Sequence, residues 1–295
     1  MSPARRRSLR LWLLASAMLL LAACSAIKFT YNNADTVIRL AAWDYLDLER
    51  EQEDELKLLI AKYMEWHRRE EMPVIARLAG EALERVNRRI TVADVGWMIE
   101  QGRQRYRRAA TRAAEEAAPV LATLNESQIQ GLQKKFVKAN AKYEKEFLSG
   151  DESRRLKARR KRMVDNIEEW TGNLTDAQEA RVDRFLREHP RSNDIRMAER
   201  VRWQGELIAA LRASRDPAAL AVQIGRVFSD PERGRSEEYL RETRRWESDF
   251  AQMLVELEAT LTPEQRRRAV NRLAGFARDF RELAGDATRP PQARL

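Results

Sequence analysis

The sequence predicts an all-α protein, an elongated multi-helix bundle that follows an N-terminal leader. Alanine, leucine, arginine and glutamate dominate, glycine is sparse, and charged residues make up 34% of the chain. Apolar residues recur at spacings of three and four, which indicates amphipathic helices, and no segment shows the alternation typical of strands. We expect one helical domain over residues 34–285, either continuous or with a sub-boundary near residue 150, and a disordered tail over 286–295.

The first element is the leader. Residues 1–23 combine four arginines, an apolar run from Leu11 to Leu21 and small residues directly before Cys24. This is the three-part layout of a secretory signal peptide, and the apolar run is short for a helix that spans a bilayer. An uncleaved membrane anchor and an ordinary cleaved signal are the alternatives.

The Leu-Ala-Ala-Cys motif that ends at Cys24 resembles the lipobox of bacterial lipoproteins. In that family the cysteine thiol receives a diacylglycerol, the leader is cut before it, and the new amine is acylated. The resemblance implies a membrane partner reached through a lipid on Cys24, with a lipidated tether over residues 24–33. Ser25 stands where enterobacterial lipoproteins retained in the inner membrane have aspartate, so we expect the periplasmic face of the outer membrane.

Periodicity and capping signals define the helices of the first half. The predicted helices cover residues 34–47, 48–90, 91–118 (extending past Pro119) and 125–148. Pro73 is expected to kink or restart the second of these helices. Thr91 and Asp94 form a variant of the capping box, which marks the start of the third.

The second half contains six more predicted helices. They cover residues 154–170, 175–188, 193–212, a segment that begins at Asp216-Pro217, 236–261 and 262–285. Asp216 is a favourable N-cap, and a proline in the first helical turn loses no hydrogen bond. Ser149–Asp151 is the break between the two halves.

Three helix starts share a leucine, a capping residue, an acid and a glutamine. They are Leu124–Gln128, Leu174–Gln178 and Leu261–Gln265. Good capping explains the pattern, because the cap side chain accepts from the N3 amide and the glutamine reaches back. The pattern also resembles the Leu-Thr-x-x-Gln motif of Spy-like periplasmic chaperones, which implies chaperone-like client holding. Asn125 departs from that motif, which has threonine there.

A second resemblance lies in three segments near the leader. They are Tyr31–Asp35, Trp43–Leu48 with Trp43, Asp44, Tyr45 and Asp47, and Trp66–Pro73 with Trp66, His67, Arg68, Glu70 and Pro73. Their order is similar to that in an uncharacterised family of proteobacterial lipoproteins. That family has no established activity, so the resemblance implies fold and compartment and no catalytic residues.

His67 is the strongest single candidate for chemistry. Glu71 lies one helical turn further on, so the two side chains could share a metal ion or a proton. A histidine hydrogen-bonded in a seam between helices is the alternative. No HExxH pattern is present and no further ligands can be identified, so we predict no metal site and no cofactor.

The clearest charge cluster lies on the predicted helix 154–170. Its basic residues are Arg154, Arg155, Lys157, Arg159, Arg160, Lys161 and Arg162. We expect this face to dock a protein or an envelope polymer, and a solvated helix face is the alternative.

Aromatic residues have two expected places. Trp43, Tyr45, Trp66, Trp97, Trp170, Trp203 and Trp246 are expected in the core or at helix crossings. Lys28, Phe29 and Tyr31 follow the lipobox closely, so we expect them at the membrane interface.

The formal net charge is +9, and four of these charges lie in the leader. An exported lipoprotein seldom meets nucleic acid, so anionic lipid or lipopolysaccharide is the accessible counter-charge, and arginine-rich composition alone is the alternative.

No phosphate loop, G-x-S-x-G elbow or Cys-His pair is present, which favours a protein that is not an enzyme. We expect binding of a protein or an envelope component. The alternatives are an assembly factor with one dedicated partner and a hydrolase using paired carboxylates. The sequence leaves the oligomeric state open.

Overall fold

The computed structural model describes residues 27–229 and 234–285. Every regular element in this part of the chain is helical, so the all-α prediction is confirmed. The predicted signal peptide (1–23), Cys24 and the predicted tail (286–295) lie outside the described residues. None of the described helices is both long enough and apolar enough to cross a membrane.

Eleven α-helices make up most of the described chain. They are α1 (Ala34–Leu46), α2 (Arg50–Trp66), α3 (Met72–Asn87), α4 (Val92–Ala122), α5 (Glu126–Tyr143), α6 (Glu152–Thr171), α7 (Asp176–Glu188), α8 (Ser192–Ala213), α9 (Pro217–Ser229), α10 (Glu237–Ala259) and α11 (Pro263–Gly285). Two π-helical turns interrupt this series. His67–Glu71 joins α2 to α3, and Glu144–Leu148 follows α5.

Two boundaries differ from the sequence-based expectation. Residues 27–32, expected as a tether, are helical, because both the backbone and the side-chain amide of Asn33 donate to the carbonyl oxygen of Phe29. The helix expected over residues 48–90 is divided into α2 and α3 by the first π turn. Pro73 lies in the first turn of α3, the part of a helix where proline is best tolerated.

Two groups of four helices share one connectivity. In unit 1 (α1, α2, α4, α5), α1 packs against α2 and α5, and α2 packs against α4. In unit 2 (α6, α7, α10, α11), α6 packs against α7 and α11, and α7 packs against α10. In each unit the first two helices therefore pack on each other, and each also packs on one helix of the second pair.

A pair of buried glutamines joins the two helix pairs of each unit at their interhelical connections. Gln52 and Gln128 donate their side-chain amides to each other in unit 1, and Gln178 and Gln265 do the same in unit 2. Each glutamine also accepts from the backbone N–H of its own N-cap residue. Each donates to a carbonyl two residues before its partner's N-cap. We call these pairs the glutamine junctions.

The junctions extend the repeat found in the sequence. The three predicted capping motifs form as expected, with Asn125, Thr175 and Thr262 each accepting from the backbone of the following glutamine. A fourth copy, Leu48–Gln52, was missed because its N-cap is Glu49 rather than serine, threonine or asparagine. The glutamines thus cap their own helices and also pair across the unit.

The remaining helices cross between the units. Helix α3, from the first half of the chain, packs against α11 of unit 2. Helices α8 and α9, from the second half, pack against α5 and α4 of unit 1. The largest apolar cluster accordingly combines α4, α5, α8 and α9 around Ile129, Leu211 and Leu220. The break near residue 150 separates the two units along the chain. In space, however, each unit packs against one or two helices from the other half of the chain.

Candidate functional site

A cleft of about 460 Å³ lies among the second π turn, α6, α8 and α10. Four arginines line it together with aromatic rings from the end of α5, the second π turn, α8 and α10. They are Arg159, Arg162, Arg196 and Arg200, with Tyr143, Phe147, Trp203, Tyr239 and Trp246. We call this site the arginine cleft.

Arg159 is the buried cation of the cleft. Its side chain is only 7% exposed, and burial lowers the pKa of its guanidinium. One Nη donates to the carbonyl oxygen of His189, while the buried Nε has no hydrogen-bond partner in the described chain. Glu152 and Asp194 lie near enough to act on the Arg159 pKa in the raising direction, but neither forms an ion pair with it. A buried charge without an ion-pair partner is costly, so this position favours an incoming anion.

The other three arginines rest on aromatic rings. The guanidinium carbon of Arg162 lies 4.2 Å from the ring centre of Phe147. That of Arg196 lies 5.5 Å from Trp246, and that of Arg200 lies 5.9 Å from Tyr143. No carboxylate of the described residues forms an ion pair with Arg159 or with these three arginines. Stacking orients a guanidinium while leaving N–H groups available for a ligand, although Arg200 donates its Nε to the side-chain oxygen of Asn140.

The second π turn builds one wall of the cleft. Tyr143 and Phe147 are four residues apart, and their ring centres lie 4.5 Å from each other. Asn193 at the start of α8 donates to the carbonyl oxygen of Phe147, which ties the turn to the opposite wall. Burial raises the pKa of the Tyr143 hydroxyl, although Arg196 and Arg162 act in the lowering direction. Such π turns are frequent at functional sites.

The structure divides the predicted basic cluster. Arg159 and Arg162 face the cleft, whereas Arg160 forms ion pairs with Glu179 and Asp183 of α7. Of the other four members, Arg154 and Lys157 are exposed, Lys161 pairs with Asp165 on its own helix, and Arg155 pairs with Asp194 of α8.

Sequence reasoning missed Arg196 and Arg200, which α8 contributes to the cleft. Their spacing of four residues places them on one helix face and was the available signal. Nothing in the sequence says that this face meets α6. Two of the four cations of the cleft therefore belong to the predicted basic cluster. The other two come from α8, whose arginines were not predicted as site residues.

A second hollow of about 460 Å³ adjoins the cleft and shares Arg196 and Trp246 with it. His189 lines this hollow, and its Nε2 lies 3.1 Å from a carboxylate oxygen of Asp249. Glutamates from α10 also line it, including Glu242 and Glu247. Four glutamates line this hollow, whereas among the described residues Glu199 is the one glutamate that lines the arginine cleft, so the hollow is the poorer anion site.

His67 lies in a seam between helices. The Tyr31 hydroxyl is 2.9 Å from His67 Nδ1, and burial lowers the pKa of His67 while it raises that of Tyr31 to about 12. Glu71 forms ion pairs with Arg108 and Arg105 of α4, at 2.6 and 3.4 Å. The described residues contain no group of three or more side chains suited to hold a metal.

The rest of the family-like segments have structural contacts. Tyr45 packs against Phe136, Asp44 pairs with Lys135, and Asp47 adopts the left-handed conformation between α1 and α2. Near the first π turn, Arg68 donates to Asn32, Trp66 lies beneath Arg108 and Arg112, and Glu70 is exposed. These residues fasten the N-terminal segment to the body.

One expectation about an aromatic side chain was wrong, since Trp43, expected in the core, is 62% exposed. Lys28 forms an ion pair with Glu282, the Tyr31 hydroxyl lies 2.9 Å from His67 Nδ1, and Phe29 is 70% exposed. The place of these three residues at a membrane interface stays a prediction.

These features define an all-helical protein with a cationic, ring-lined cleft among α6, α8 and α10. The chain belongs to the DUF6279 family, described as a family of unknown function, which matches residues 44–241. The expectation of an uncharacterised family is thereby confirmed. No curated protein and no solved structure matches the chain.

Proposed function

We propose that this protein is a lipid-anchored component of the bacterial envelope that binds a phosphorylated envelope constituent in the arginine cleft, without catalysing a reaction. The anchor is Cys24, and the compartment is the periplasmic face of the outer membrane. The observation that carries the proposal is Arg159, a buried guanidinium in the cleft without an ionic partner in the described chain.

The chemistry of the cleft favours phosphate over other anions. Arginine presents a planar fork of N–H donors that matches phosphate oxygens in pairs. Arg162 and Arg196 are held by rings rather than by carboxylates, so their donors can be used without breaking an ion pair. The aromatic walls, Phe147 and Trp246 among them, offer apolar faces for the remainder of the ligand.

The dimensions of the site favour a small ligand over a protein surface. A volume of about 460 Å³ lies within the range of pockets that take small molecules or headgroups. A protein partner would instead use the outward-facing basic residues of α6, such as Arg154 and Lys157. We therefore propose an envelope constituent as the ligand of the cleft. The experiment below would also reveal a dedicated protein partner.

Calorimetric titration of the full chain with glucose 1-phosphate tests the proposal. Arg162→Ala and Arg196→Ala should each weaken binding by tenfold or more, because a hydrogen bond to a charged group contributes about 1.5–3 kcal/mol. Lys161→Ala is the matched control, since it removes one positive charge from the same helix outside the cleft. It should bind like the unaltered protein.

The same titration separates the alternatives. Equal affinities in all variants would contradict the assignment of the cleft. Binding of an oligoglutamate peptide but not of glucose 1-phosphate would favour an acidic protein partner. Release of inorganic phosphate from the probe would contradict the non-enzymatic role. Incorporation of labelled palmitate, abolished by Cys24→Ser, tests the anchor separately.

A further inference from the structure

Helix α1 carries an apolar stripe that the described chain leaves uncovered. Val37, Leu40 and Trp43 are 58%, 58% and 62% exposed, and no residue of α1 is buried. Their spacing of three residues places them along one side of the helix. The opposite side, through Tyr45 and Leu46, packs against the core. Adjacent exposed apolar side chains of this size mark an interaction surface rather than ordinary surface scatter.

The stripe continues into a hollow between α1 and α2. This hollow has a volume of about 220 Å³, and Leu40, Trp43 and Leu56 contribute to its lining. Leu58 on α2 is 71% exposed as well. Apolar exposure at this end of the molecule is therefore not confined to a single side chain.

The chain leading to the predicted lipid is too short to hold this region far from a bilayer. Lys28 forms an ion pair with Glu282, and Tyr31 is bonded to His67, so residues 27–32 are fastened to the body. Lys28 is only four positions after Cys24, and the backbone between them spans at most about 14 Å when fully extended. A lipid on Cys24 would therefore bring the body itself against the membrane.

We infer that the stripe of Val37, Leu40 and Trp43 rests in the interface of the phospholipid bilayer that holds the anchor. This inference rests on the lipid anchor of the proposed function and is independent of the ligand in the cleft. Tryptophan is favoured at membrane interfaces, and leucine and valine beside it would enter the apolar boundary. The contact adds a second attachment and fixes the orientation of the helical body on the membrane.

Spin labelling of the lipidated full chain in vesicles of phosphatidylethanolamine and phosphatidylglycerol tests the inference. Cys24 is the only native cysteine, so once it is acylated a cysteine introduced by Leu40→Cys is the single free thiol. Lys157→Cys on the exposed side of α6 is the control. The label at position 40 should collide with a water-soluble nickel chelate at least fivefold less often than the control, and more often with oxygen.

Other results would overturn the inference. Equal nickel access at both positions would place the stripe in water. Broadening between labels at position 40 of two molecules would show that a second copy covers it. A chain that acquires no lipid and stays out of the vesicles would remove the anchor on which the inference rests. None of these results affects glucose 1-phosphate binding, so failure of the cleft assignment is detected separately.

Discussion

Arg159 and Arg160 are sequence neighbours with opposite surroundings. Arg160 forms ion pairs with Glu179 and Asp183, whereas Arg159 turns into the arginine cleft, where burial lowers its pKa. Arg160 faces two carboxylates of α7, whereas the carboxylates of α8 on this side pair with other arginines, Asp194 with Arg155 and Glu199 with Arg202 and Arg235. Charge counting along the sequence treats the two residues alike, so it cannot find the cation that lacks a partner.

His67 gives a prediction about pH. Its folded-state pKa lies below the ordinary value of about 6.5, because burial and Arg68 disfavour the charged ring more than Glu71 favours it. The unfolded chain therefore takes up this proton more readily than the folded protein. Stability from His67 is full above about pH 7 and should fall as the pH drops through 6.5 towards the folded pKa.

Denaturant unfolding at pH 7.5 and pH 5.5 measures this effect. The fall in unfolding free energy should be smaller in His67→Gln than in the unaltered protein. His189→Gln, which alters the only other histidine, is the control and should keep the part of the fall that belongs to His67. An identical pH dependence in His67→Gln and the unaltered protein would contradict the buried, neutral histidine.

At the scale of elements, both π turns lie where helices meet other parts of the chain. His67–Glu71 directs Glu71 towards Arg108 of α4 while His67 meets Tyr31. Glu144–Leu148 supplies Phe147 to the arginine cleft. A π turn contains one extra residue, so it changes which side chains face inward without ending the helix. The apolar spacing of a helix resumes directly after the extra residue. The sequence therefore did not predict either π turn.

The glutamine junctions give a prediction about stability. Gln178→Ala removes donors and acceptors at a site that is 1% exposed. It leaves the Thr175 N–H, the Thr260 carbonyl and the Gln265 amide without this partner. We expect a loss of about 2–4 kcal/mol in the free energy of unfolding, since each unsatisfied buried group carries a desolvation cost. Chemical denaturation measures it.

A double-mutant cycle shows whether the pairing itself matters. Gln178→Ala and Gln265→Ala together should cost less than the sum of the single changes, with a coupling of about 1 kcal/mol or more. Gln104→Ala is the control, because Gln104 is exposed and bonds to Glu100 on its own helix. It should change stability by less than about 0.5 kcal/mol. Additive losses would mean that the glutamines act only as separate caps.

The sequence predicted the local part of these junctions and not the long-range part. Capping depends on residues three positions apart, so Asn125 with Gln128 and Thr175 with Gln178 are readable from spacing alone. Pairing of Gln128 with Gln52 spans 76 residues and depends on tertiary packing. Trp43 shows that local spacing can also mislead. An aromatic residue at helical spacing is expected in the core, but Trp43 is exposed.

For the whole molecule, the packing of helices from each half of the chain against the other half determines whether either half can fold alone. Unit 1 has α8 and α9 of the second half in its core, and unit 2 has α3 of the first half against α11. The helix content and most of the boundaries could be predicted, because composition and caps determine them locally. The packing of α3, α8 and α9 across the two units could not be predicted, because amphipathic helix faces of similar character fit several partners. The arginine cleft depends on that crossing, since α8 forms one of its walls.

A chain divided at Gly150 tests this dependence. Gly150 lies between the units with φ of +87°, outside any helix. Residues 1–149 and 150–295 should copurify when produced together and give a helical spectrum and cooperative unfolding close to those of the intact chain. Each fragment alone should aggregate or unfold without cooperativity, because apolar faces such as that around Leu220 would lack their partners.

Size-exclusion chromatography and circular dichroism distinguish the outcomes, with the intact chain as the reference. Two fragments that are each monomeric, helical and cooperative on their own would show that the units are independent domains. Fragments that fold only when mixed would show that each half completes the other.

The exchange of α3 for α8 and α9 also bears on how such a chain could be shortened. A single unit that kept its own crossing helix would have an open groove and a helix with nowhere to pack. Two copies would satisfy both needs by lending that helix to each other, as in a swapped homodimer. The present chain holds the same arrangement within one polypeptide, so its two halves cannot drift apart on dilution.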